Sequence, residues 1–110
     1  MNEYPEMVTR LPQADIKFNG LQGWIFQGFD QQMVFFQIEP IGKVTEHTHE
    51  AQFGMVLEGE MSLTMGGETR IFRKGDTYFI PKNVPHSAVF HTKVFVVDYF
   101  DEPARYKAKT

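Results

Sequence analysis

The chain has 110 residues, 42% of them hydrophobic and 15% aromatic, with a formal net charge of -3 and no cysteine. That length builds one hydrophobic core, and the apolar content argues against disorder. The missing cysteines remove any disulfide framework and restrict a metal site to histidine and oxygen ligands; the scattered Lys and Arg argue against a nucleic-acid partner, and no apolar run approaches the roughly 18 residues of a membrane span.

The opening stretch, Met1 to Glu6, is polar and acidic and lacks the basic start and apolar run of a secretory leader. A cytoplasmic protein is therefore expected. The expected organisation is a single domain over residues 1–110, with an N-terminal arm or strand in 1–20, the barrel in 21–100 and a tail in 101–110. Within the arm, Glu3 to Arg10 reads as irregular. Short apolar runs punctuated by Gly, Pro and Asn then read as strands. They are Gly23 to Phe29, Met33 to Ile38, Phe53 to Glu58, Glu60 to Met65, Glu68 to Arg73, Thr77 to Ile80, His86 to Phe90 and Lys93 to Asp98. The tail from Pro103 reads as a turn or short helix, and no segment carries the period of an amphipathic helix. So many short strands in so small a chain predict an all-β sandwich or barrel.

The turns have their own chemistry. Asp30-Gln31-Gln32 separates the first two runs. Met65-Gly66-Gly67-Glu68 reads as a two-residue hairpin, because Gly-Gly supplies the positive φ values such turns need. Lys74-Gly75-Asp76 and Pro81-Lys82-Asn83 mark two further reversals. Trp24-Ile25-Phe26, Met33-Val34-Phe35-Phe36 and Phe95-Val96-Val97 do not alternate cleanly between apolar and polar. Apolar residues on both faces of a strand need a cover on the outer face, and a homodimer is the expected source of it.

His47-Thr48-His49 is an i, i+2 pair. On an extended strand both imidazoles point to one face, about 7 Å apart at Cβ, and can converge on one ion. Gln52 follows three residues later, and a bend or bulge would bring its amide oxygen to the same face. Glu50 is expected on the opposite face, Glu46 on a solvated edge and His91 at the surface.

The stretch Gly42-Lys43-Val44-Thr45-Glu46-His47-Thr48-His49-Glu50-Ala51-Gln52, followed by Gly59, resembles the first motif of the cupin superfamily. Gly75, Pro81, Asn83 and His86 resemble the second, with 15 residues between Gly59 and Gly75. The resemblance implies a cupin-type double-stranded β-helix, the jelly-roll barrel of RmlC-like proteins, and makes His86 the third metal ligand. Asn83 replaces the usual Gly, and Asn is the non-Gly residue that best tolerates a left-handed backbone. Gln52 stands where the family usually has Glu, after a gap one residue shorter, and Phe90 stands near a position often occupied by Asn.

The resemblance implies one divalent metal ion per chain, held by His47, His49, His86 and Gln52. Neutral ligands would leave the ion near its full charge, a good Lewis acid for anionic oxygen groups; Zn, Ni, Mn, Fe and Cu all suit such a set. Cupin relatives act as isomerases, decarboxylases, lyases and dioxygenases on small molecules. The segment Val97 to Arg105 is loosely similar to the tail of the pectin-degradation cupins, which open and ketonise unsaturated uronates. A metal-dependent enzyme acting on a small oxygen-rich or carboxylate substrate is expected, with Tyr78, Asp98, Tyr99 and Arg105 as candidate catalytic residues. The alternative is a sensor cupin that binds a small molecule without catalysis.

Overall fold

The computed structural model describes residues 1–40 and 42–110. Among them, nine strands follow one short helix, α1 (Glu6–Thr9): β1 (Leu21–Gln27), β2 (Gln32–Ile38), β3 (Gly42–His47), β4 (Gln52–Glu58), β5 (Glu60–Met65), β6 (Glu68–Arg73), β7 (Thr77–Ile80), β8 (His86–Phe90) and β9 (Val94–Phe100). A five-stranded sheet in the order β1-β2-β9-β4-β7 faces a four-stranded sheet in the order β3-β8-β5-β6, and all the pairings are antiparallel. This is the jelly roll expected from the sequence.

Several boundaries move. β1 begins two residues earlier than the apolar run and ends at Gln27, because Gly28 to Gln31 form the turn. Gln32 belongs to β2 rather than to that turn. β9 runs to Phe100 instead of ending at Asp98. β3 was not among the expected strands. Its sequence, Gly-Lys-Val-Thr-Glu-His, has only one apolar residue and only Val44 and His47 are even half-buried, so it lacks an alternating signature. Long-range pairing with β8 makes it a strand.

The turn chemistry is as read. Gly66 and Gly67 take φ of 59° and 77° between Met65 and Glu68, the doubly left-handed hairpin turn. Asn83 takes φ 62°, the left-handed value a Gly would supply. Its N–H donates to the His49 carbonyl at 2.9 Å, tying the reversal before β8 to the loop after β3.

Alternation along the strands gives the five-stranded sheet two different faces. The row Ile25, Val34, Asp98, Gly54 and Tyr78 points inward. The next row, Phe26, Met33, Tyr99, Phe53 and Phe79, points outward. Part of the outer face is covered by the N-terminal arm, which is more ordered than its composition suggests. Tyr4 is buried, and its hydroxyl donates to the Phe36 carbonyl at 2.8 Å. Its ring meets Trp24, Phe35 and Phe95 edge-on at centroid distances of 5.9, 5.8 and 5.2 Å.

The tail after β9 forms turns and packs back on the barrel. Buried Gln32 donates from Nε2 to the Tyr106 carbonyl and accepts from the Tyr106 N–H, both at 2.9 Å. Lys107 and Lys109 exchange backbone hydrogen bonds with Asp15 and Gln13. Arg105, the residue before Tyr106, is held against the barrel by these bonds.

Tyr4→Ala is expected to lower the unfolding free energy by about 3–5 kcal/mol, the usual cost of deleting a buried aromatic ring. Tyr4→Phe should cost only about 1 kcal/mol, for the lost hydrogen bond. Urea unfolding followed by tryptophan fluorescence reads both, since Trp24 lies against Tyr4.

Candidate metal centre

His47 ends β3, His86 begins β8, and the two are register partners across an irregularity between Val44 and His47. His49 lies beyond the end of β3. The expectation of His47 and His49 on one regular strand is therefore corrected: the chain bends after His47, and the bend still turns both rings inward. One ring nitrogen from each of His47, His49 and His86 lies within 4.8 Å of the other two. Ring centroids are 5.2, 4.3 and 4.7 Å apart.

The local backbone decides which nitrogen is available. His47 Nδ1 lies 2.9 Å from the Thr45 carbonyl, His49 Nδ1 2.7 Å from the Glu50 carbonyl and His86 Nδ1 2.9 Å from the Val84 carbonyl. A carbonyl only accepts, so each Nδ1 carries a proton, and in the neutral ring it is Nε2 that keeps the lone pair. Burial lowers the His49 pKa to about 4; the Glu50 carbonyl opposes this, while Arg105, His86 and His47 add to it. Burial likewise lowers that of His86. Both are neutral at neutral pH, the form that binds metal. The three histidines are positioned to hold a metal ion.

The cluster opens on a cavity of about 300 Å³ between the sheets, walled by apolar side chains such as Phe36, Leu63 and Val96. Gln52, Tyr78, Asp98 and Arg105 also reach it. Gln52, the first residue of β4, is buried. Tyr99 does not reach the cavity: it sits on the outward row of β9 and is 42% exposed. Strand alternation separates it from its neighbours Asp98 and Phe100.

Tyr78 on β7 and Asp98 on β9 flank Gly54 on the intervening β4. The Tyr78 hydroxyl donates to Asp98 Oδ1 at 2.6 Å, across the space where a side chain on Gly54 would stand. A Cβ at residue 54 would collide with both partners. Gly54 was not singled out from the sequence, although a glycine inside a strand signals such a close approach. Burial raises the Asp98 pKa to about 6, against the opposing pull of Tyr78, Gln52 and Arg105. Burial, with the Asp98 charge next, also pushes Tyr78 well above its usual value.

Arg105 stacks over the Tyr106 ring at 4.6 Å from the centroid and lies 5.8 Å from that of Phe100. Its Nε is buried without a hydrogen-bond partner among the described residues. His91 is exposed as expected, but its Nε2 also lies 2.6 Å from Ser62 Oγ, outside the cluster. Glu50 pairs with Lys82 at 3.3 Å, both side chains being solvent-exposed.

The sequence of residues 34–99 matches the cupin domain. The chain belongs to the cupin family. Among solved cupin structures, it is similar to an RmlC-like cupin from Shewanella frigidimarina, with 26% identity, a TM-score of 0.77 and coverage of 94% of this chain and 90% of the other. KdgF from Halomonas sp. is 28% identical with a TM-score of 0.73, over 84% of this chain and 88% of that one. Among curated proteins, H2HPP isomerase of Bacillus subtilis is 35% identical over 72 residues, 64% of this chain. This cupin spans 30% of the length of that relative. No helix among the described residues is long and apolar enough to cross a membrane.

The Asp98 shift carries a pH signature. Its folded pKa, about 6, lies above its ordinary value of 3.8. As pH rises between those values, the unfolded chain releases the proton first, so Asp98 costs stability that is lost through this window. In metal-free protein, Asp98→Asn should therefore be more stable than the parent at pH 7.5 by up to about 3 kcal/mol. That gain should shrink as pH falls through 6 toward 4, as measured by urea unfolding at each pH.

Proposed function

We propose that this protein is a homodimeric metal-dependent enzyme that moves a proton on a small carboxylate substrate, an isomerase or ketonisation-type reaction. The observation that carries the reading is the meeting, in one cavity, of the imidazoles of His47, His49 and His86 with an Arg105 whose Nε has no hydrogen-bond partner among the described residues.

His47, His49 and His86 would hold one divalent ion per chain, with Gln52 as fourth ligand; Zn, Ni, Mn, Fe and Cu all suit nitrogen and amide donors. The ion would supply Lewis-acid polarisation of a bound oxygen. Arg105 receives the substrate carboxylate, and its planar fork, stacked on Tyr106, fixes the direction of approach. Asp98 takes up or delivers the proton, with Tyr78 orienting its carboxyl group, and a pKa near 6 suits that exchange at neutral pH. The apolar walls keep water from the reacting carbon. The isomerase named among the relatives supports the reaction class, and the cavity volume supports a small substrate.

Purified protein is expected to carry about one divalent ion per chain by elemental analysis. His47→Ala and His86→Ala should each abolish retention through dialysis, whereas Gln52→Ala should only weaken it, because an amide oxygen donates less strongly than an imidazole. Gln52→Ala as the most damaging of the three would refute this ligand ranking.

The reaction class is tested in D2O with metal-loaded protein and a panel of small 2-keto and hydroxy carboxylates, following deuterium uptake by NMR. Uptake on the carbon beside the carbonyl or hydroxyl carbon is expected, and Asp98→Asn should lose it. Arg105→Gln should raise the half-saturating concentration about tenfold or more, the worth of one charge-assisted hydrogen bond. Tight binding across the panel with no exchange would replace the enzyme by a binding-only sensor.

A further inference from the structure

The cavity is polarised along the strands. On the four-stranded sheet, the register sets its lining residues in rows: His47 opposite His86, then Val44, Ala88 and Leu63, then Phe90 and Met61. Successive rows lie two residues, about 6.6 Å, apart. The five-stranded sheet repeats the order. Gln52 and Phe100 come first, Asp98 and Tyr78 next, then Phe36 and Val96, and last Ile38 and Leu21. Arg105, 5.8 Å from the Phe100 ring centroid, belongs to the histidine end. Among the described residues, the other half of the lining carries no hydroxyl, amide or charge apart from Thr45, which is exposed on β3.

We propose that this apolar half is the compartment for a hydrocarbon tail, so that the substrate is a carboxylate bearing an apolar chain or ring of about four to six carbons rather than a polyhydroxylated acid. The inference rests on the carboxylate reading above and assigns the other end of the molecule. At the roughly 30 Å³ that a water molecule occupies in the liquid, a cavity of about 300 Å³ admits about ten heavy atoms. A carboxylate with its oxygen-bearing neighbour uses about five of these, which leaves about five for the tail. The walls then decide the tail's chemistry. Each methylene moved from water onto them strengthens binding about fourfold. Each hydroxyl buried there without a partner weakens it roughly tenfold.

Ala88 leaves the room. It is the smallest residue of its row, flanked by Val44 on β3 and Leu63 on β5. Phe18 stands at the far end: its carbonyl accepts the Leu21 N–H at 3.3 Å, and its side chain lines the cavity while 44% exposed. A tail lying beside it would cover ring surface that water now meets. These two positions set the length of tail that fits, at a distance from the groups that hold the carboxylate and move the proton.

Calorimetric titration of the zinc-loaded protein with lactate, 2-hydroxybutanoate, 2-hydroxyhexanoate, 2-hydroxyoctanoate and gluconate tests the assignment. Affinity is expected to climb along the series, with 2-hydroxyoctanoate about a hundredfold or more tighter than lactate. Gluconate, as long as 2-hydroxyhexanoate but hydroxylated throughout, should bind at least tenfold more weakly than it. Ala88→Leu, which fills the compartment, should cut the octanoate-to-lactate ratio tenfold or more. Should it fail to keep the parent far-ultraviolet spectrum, Phe18→Ser, at a position 44% exposed, is read instead and should cut the ratio about threefold. A flat series, gluconate equal to 2-hydroxyhexanoate, or a ratio unchanged in the folded variant would overturn the tail compartment and leave the carboxylate reading standing. A climbing series without deuterium exchange would keep the compartment and make the protein a sensor. If no acid binds, both readings fall.

Discussion

Three hydrogen bonds from imidazole Nδ1 to backbone carbonyls govern the candidate site. Each histidine is anchored by a carbonyl one or two residues away, so its ring orientation is set by its own loop or strand end rather than by a distant partner. That local locking fixes the tautomer, turns Nε2 toward the cavity and reduces the entropy lost when a ligand binds. The remaining requirement is that the loop after β3 and the start of β8 be brought together. The pairing of His47 with His86 and the Asn83 hydrogen bond to His49 accomplish this.

Around that cluster, charge and burial act in opposite directions on neighbouring groups. Desolvation keeps His49 and His86 neutral and Asp98 reluctant to ionise, while the cationic Arg105 draws Asp98 back toward its charged form. The cavity so brings together the neutral His49 and His86, a carboxyl with a pKa of about 6 and the cationic Arg105, and perturbed groups of this kind gather at functional sites. Stability is given up for this: a hydrophobic residue in place of Asp98 would carry no ionisation penalty.

The five-stranded sheet serves both faces through its period-2 alternation. On β4, Gln52 and Gly54 face the cavity while Phe53 and Met55 face outward; on β7 and β9 the same division separates Tyr78 from Phe79 and Asp98 from Tyr99. A one-residue slip in register would exchange the two sets and destroy site and outer surface together. Gly54 shows how tightly the inner face is filled, since the Tyr78–Asp98 hydrogen bond occupies the space of its missing side chain.

Much of this was legible in the chain alone, because the signals are local. Gly66-Gly67 dictates its own turn, Asn83 accepts the left-handed backbone a reversal needs, and alternating apolar runs declare most strands. His47, His49 and His86 stand out by residue type and motif spacing. Pairing between distant segments decided the rest. β3 has almost no apolar signature and is a strand only because β8 lies beside it. Tyr4 reads as part of a polar arm until the sheet supplies Trp24, Phe35 and Phe95 to receive it. Tyr99 and Asp98 are adjacent in sequence and equally plausible as catalytic groups, yet one faces solvent and the other the cavity, because the phase of β9 is set by its neighbours β2 and β4. Composition and spacing determine which chemistry is present; the register of non-local strands determines which atoms meet, since it depends on contacts no short window of sequence contains.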